Sequence, residues 1–150
     1  MANQEARVTP SFRHHGELLV GAADIVATGA ASHPWLVVAP TMRVPMALRD
    51  SVNPYLAARA VFLFIRHCTF DSGPHAGQPI RNHVTSIAFP GLGTGVGAIG
   101  PNTCAHQMRA AIDDVLLEKN TRPATWAHAS ERHQLLYTDR PVRMQHTVTD

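Results

Sequence analysis

Apolar residues in this chain fall into short β-branched or aromatic runs and longer stretches of helical spacing. Trp35 to Ala39, WLVVA, is apolar on both faces and predicts a central strand closed by Pro40. Val84 to Phe89, VTSIAF, predicts another. Upstream, Glu17 to Thr28 reads as a strand or a bent hairpin interrupted at Gly21. Val52, Leu56, Ala60, Leu63 and His67 recur at three- and four-residue spacing, with Tyr55, Arg59 and Phe62 as a neighbouring row. They predict a helix over 52–67, capped by Asp50 or Ser51 with Pro54 in its first turn. Thr69 to Gln78 carries little information beyond the turn residues Asp71-Ser72-Gly73-Pro74. A second helix is expected from Pro101 to Glu118, with Met108, Ile112, Val115 and Leu116 on its apolar face. Trp126, Ala129, His133 and Leu136 are spaced to face one way on a third, over 124–136. Residues 1–14 and 138–150 read as polar tails around a domain spanning 15–137.

The expected order is strand, strand, helix, strand, helix, helix. A helical crossover between Trp35–Ala39 and Val84–Phe89 predicts that these strands are parallel neighbours or near-neighbours. Two or three strands is few for a layered α/β domain, so one side of the sheet reads as unfinished.

Between the third strand and the second helix lies the densest chemical signal. The ten residues after Pro90 hold five glycines, at 91, 93, 95, 97 and 100, and one hydroxyl, Thr94. Each glycine costs roughly 0.5–1 kcal/mol of backbone entropy, which a close backbone approach or a packed ligand recovers. A strand, glycine loop and helix in succession expose backbone N–H groups where an anion can sit. The stretch has no lysine, which excludes a P-loop, and GxGxxG is spelled only by Gly95, Gly97 and Gly100, six residues past Phe89. Neither common phosphate fingerprint therefore applies.

Composition narrows the rest. At 150 residues and 45% hydrophobic content the chain is at most one globular domain. A formal charge of +2 without charge blocks gives no signature for nucleic acid. Cys68 and Cys104 read as free thiols, with Cys104 a buried structural cysteine near a helix start. Ten histidines include His14-His15, His67 and the pair His128 and His133, but no spacing matches a zinc motif, so no metal or cofactor is expected. No run approaches the ~20 apolar residues of a membrane span and the N-terminus lacks an export core, so a cytoplasmic protein is expected.

The residues His15-Gly16-Glu17, Trp35 to Pro40, the helix start near Val52 and above all Phe89 to Gly97 resemble the macro domains, a family that binds ADP-ribose. The resemblance covers about residues 15–119. It implies a three-layer α/β/α sandwich with a mixed sheet, and ADP-ribose or a related nucleotide lying across the strand ends. It also implies a ligand-binding set of Gly91, Leu92, Gly93, Thr94, Gly95, Val96, Gly97 and Ile99, with Ile99 near the terminal ribose or serving as a core anchor. Any activity would resemble ADP-ribosyl hydrolysis, although no catalytic residue can be assigned. An ADP-ribosylated protein is an implied partner. Residues 1–14 supply neither the family's adenine-binding aspartate nor its asparagine-containing first loop; Asp24 and Asn53 match neither position. The implied domain is therefore incomplete, as in a truncated or divergent form. The competing expectation is a non-catalytic interaction module whose exposed sheet edge pairs with another chain or a second copy.

Overall fold

The computed structural model describes residues 14–119 and 122–137. Strands β1 (Asp24–Ala27) and β2 (Trp35–Val38) form an antiparallel hairpin. Asp24 is paired with Val38 and Ala27 with Trp35. Helix α1 spans Asn53–His67 and α2 spans Pro101–Val115, each with a proline in its first turn. The fixed φ of proline suits that position, and its missing N–H is not needed there. A short 3-10 turn, Ile80–Asn82, precedes the glycine loop. Helix α3 (Trp126–Leu135) begins at Thr125, whose side chain accepts a hydrogen bond from the His128 N–H at 3.2 Å.

The core is built where α1 crosses α2. Ala58 and Phe62 meet Ala111 and Val115, and the alanines let the two backbones approach closely. Along another face of α1, Val61 and Ile65 pack on Phe70 and Ile80, with Ile25, Trp35 and Val37 of the hairpin laid against them. Trp35 stacks on Phe70 at a centroid distance of 4.7 Å. A third cluster of Leu48, Ile99 and Cys104 closes the end that carries the glycine loop.

The three-layer α/β/α sandwich implied by the resemblance is not this fold. Among the described residues there are three helices and one two-stranded antiparallel sheet, with no mixed sheet. Val84–Phe89 is not a strand; Thr85 to Ala88 are exposed and Phe89 folds back onto Phe62 at 5.3 Å. Its β-branched residues favour extended backbone, but such preference becomes a strand only against a partner. The hairpin strands pair with each other, so the expected parallel neighbour is absent. The upstream run is likewise shortened to Asp24–Ala27, the stretch that β2 covers.

The helices follow their spacing more closely, with one difference in each. Helix α1 is preceded by Val52, which offers no side-chain cap, and Ser51 Oγ accepts the Asn53 N–H only at a long 3.5 Å. Helix α2 ends at Val115, leaving Leu116 exposed rather than in the apolar face. Helix α3 exists, but none of its residues is buried and Trp126 is 78% exposed, so its expected apolar face does not form a core. No helix among the described residues is long and apolar enough to cross a membrane. Of the expected tails, 1–14 and 138–150, all but His14 lies outside the described residues.

Candidate functional site

Loop 90–100 connects the irregular segment to α2 and folds on itself. The Ile99 N–H donates to the Gly93 carbonyl at 3.1 Å and the Ala98 N–H to Gly95 at 2.9 Å. Thr94 turns inward, its Oγ1 donating to the Gly91 carbonyl at 2.9 Å. The loop is tied to the body by the Leu48 N–H, which donates to the Gly97 carbonyl at 2.7 Å. Ile99 is its anchor, 4% exposed among Leu48 and Cys104.

Three of the five glycines are explained by this packing. A Cβ at position 91 would stand 2.5 Å from Thr94 Oγ1, and one at position 97 would stand 2.5 Å from the Gly93 carbonyl oxygen. Gly93 itself has φ +71°, in the left-handed region. Gly95 and Gly100 are different: the φ of each is ordinary and a Cβ at either would meet nothing within 4 Å. Among the described residues, the N–H groups of Gly95, Val96 and Gly97 donate to no acceptor. Val96 between them is 70% exposed. The loop thus presents a run of backbone donors just ahead of α2, a 15-residue helix with no acidic residue in its first turn. Backbone N–H groups and a helix N-terminus both favour an anion.

The remaining candidates are spread around this loop. Leu92 is half-buried and packs on the Leu48–Ile99–Cys104 cluster. Burial pushes the Cys104 thiol up, against a smaller opposing effect of a hydrogen bond with the Leu92 backbone. Its Sγ lies 3.7 Å from Met108 Sδ, the packing of an inert thiol. His106 faces away, with Nε2 2.7 Å from the Leu135 carbonyl, and Arg109 is paired with Asp113 at 3.0 Å. Asn53 holds the Thr41 carbonyl at 2.8 Å, while Asp24 pairs with His14 Nε2 at 3.2 Å. No group of three or more metal-ligating side chains comes together among the described residues.

One support of the loop, Leu48, and one buried tie between the helices, Gln107, escaped the sequence reading. Leu48, in an irregular stretch without periodicity, is 2% exposed and touches both Gly93 and Gly97. Gln107 is fully buried: its Oε1 accepts the Tyr55 N–H at 3.2 Å, and its Nε2 donates to the Ser51 and Leu136 carbonyls at 2.9 and 3.0 Å. A polar residue amid helical spacing reads as surface; only its position in line with Cys104, Ala111 and Val115 could have placed it inside.

Comparison with known proteins returns nothing: no family model, no curated protein and no solved structure matches this chain.

Proposed function

We propose that this chain binds the diphosphate of ADP-ribose or a related nucleotide through loop 91–97 and the start of α2. The observation that carries the reading is Gly95. Nothing in the loop's own packing requires a glycine there, and its N–H and those of its two successors have no acceptor among the described residues. A ligand that must approach the backbone closely accounts for both facts. Charge-assisted hydrogen bonds from these donors to phosphate oxygens supply the affinity. The proposal rests on the loop and not on the family's architecture.

Calorimetric titration with ADP-ribose tests it. Wild-type protein is expected to release or take up heat saturably, and Gly95→Val to lose binding while melting at or near the wild-type temperature. Absence of both heat and thermal shift at millimolar ADP-ribose overturns the proposal, as does full affinity in Gly95→Val.

A second reading, an interaction module without catalysis, draws on the hairpin. Leu36 of β2 is 55% exposed in a two-stranded sheet whose outer edges pair with no other strand among the described residues. Light scattering distinguishes it: concentration-dependent dimerisation abolished by Leu36→Lys supports it, and a wild-type monomer at high concentration removes it.

A further inference from the structure

A groove of about 700 Å³ runs along α1, α2 and α3, apart from the packed glycine loop. Its walls are helical stripes. Tyr55, Arg59, Leu63 and Arg66 lie on one face of α1, and His106, Ala110 and Asp114 on one face of α2. A volume of this size lies within the range of small-molecule sites.

The charges in the groove are unevenly spent. Arg66 donates to the Val115 carbonyl and to Glu118. Arg132 holds Asp114 at 2.9 Å, and the Tyr55 hydroxyl donates to the other oxygen of that carboxylate at 2.7 Å. Among the described residues, both carboxylates of the groove are thereby paired with groove guanidiniums. Arg59 and Arg122 also line the groove, and neither is in an ion pair among the described residues. Arg59 stands close enough to Tyr55 to act on its hydroxyl together with Arg132. Among the described residues, four guanidiniums against two carboxylates give the groove lining an excess of two positive charges. The floor between them is apolar, from Leu63, Ala110, Ala129 and Leu136.

We propose that this groove is a second anion site, taking a small phosphate-bearing molecule whose phosphate is held by Arg59 and Arg122 and whose body lies on the apolar floor. Guanidinium forks match phosphate oxygens bidentately, which an ammonium cannot do. Arg66 and Arg132, fixed by their carboxylates, form the wall against which the ligand is set. This assignment is independent of the glycine loop.

Inorganic pyrophosphate titrated into the full chain, followed by calorimetry and by amide chemical shifts, tests it. The shifts are expected at Arg59 and Ala129, with an affinity that falls as salt rises. Arg59→Gln combined with Arg122→Gln is expected to weaken binding at least tenfold. Arg59→Lys should retain only part of it, and Arg109→Gln, outside the groove, all of it. Arg59 and Arg122 are exposed, so circular dichroism melts of these variants are expected to match wild type. Shifts confined to Gly95–Gly97, unchanged affinity in the double variant, or full affinity in Arg59→Lys would each overturn the proposal. So would a short single-stranded oligonucleotide that binds the groove more tightly than pyrophosphate, which would reassign it to nucleic acid. Gly95→Val separates the two sites: it should leave groove shifts intact whether or not the loop binds ADP-ribose.

Discussion

Gly95 and Gly97 are two positions apart in one loop, yet the fold needs only the second. A Cβ at 97 meets the Gly93 carbonyl oxygen at 2.5 Å and Leu48 Cδ1 at 3.0 Å, so backbone must move to admit it. Gly97→Ala is expected to destabilise the protein by about 1–3 kcal/mol, the usual range for overpacking. Gly95→Ala has open space and an ordinary φ, and is expected to be neutral or stabilising by about 0.4–1 kcal/mol through the unfolded chain. Urea unfolding of the two variants checks the contrast; equal losses would mean that the loop packs otherwise. Glycine spacing announced that the stretch was special, but it could not say which glycines serve packing. That division depends on how Thr94 and Ile99 fold within the loop and on Leu48, which packs against it from outside.

The elements differ in what holds them. Helices α1 and α2 share an apolar seam, whereas α3 is attached without a buried residue of its own. Its ties are polar: Gln107 to the Leu136 carbonyl just past its end, His106 to the Leu135 carbonyl, and Arg132 to Asp114. Amides of α3 are therefore expected to exchange with solvent faster than those of the α1–α2 seam, and faster still in Gln107→Leu. Equal protection across the three helices would contradict this. Tyr55 adds a pH dependence at the same junction. Burial first, and then its hydrogen bond to Asp114, push the phenol up to about 12 from its ordinary value of 10.0. The protonated form is thus favoured by folding, so its contribution is complete below pH 10 and is lost as pH rises towards 12. Between pH 9 and 11.5 the wild type should lose more stability than Tyr55→Phe in denaturant titrations. The helices were legible because their spacing is carried within one segment. The sheet was legible only in part: both hairpin strands lie within runs expected to be strands, but Val84–Phe89 has the residues of a strand and pairs with none among the described residues, and pairing is not written in either run alone.

At the scale of the whole molecule, α2 and the hairpin pack on different faces of α1, while the glycine loop and the basic groove occupy different parts of the surface. Exposed apolar side chains are scattered over this surface, from Leu19 and Leu36 to Val96 and Trp126. The stretch from Thr85 to Ala88 has a consequence of its own. It is exposed, belongs to no helix or strand, and lies between the two helices whose contact forms the core. A single cut there separates α1 from α2 covalently but removes none of the packing between Ala58, Phe62, Ala111 and Val115. Brief proteolysis at this stretch is expected to leave two pieces that travel together through a sizing column and part only in denaturant. The chain would then behave as a self-complementing pair of fragments, with α1 and the hairpin in one and the glycine loop with α2 in the other. Pieces that elute separately under native conditions would show that the continuous backbone, rather than the helix seam, holds the halves in place.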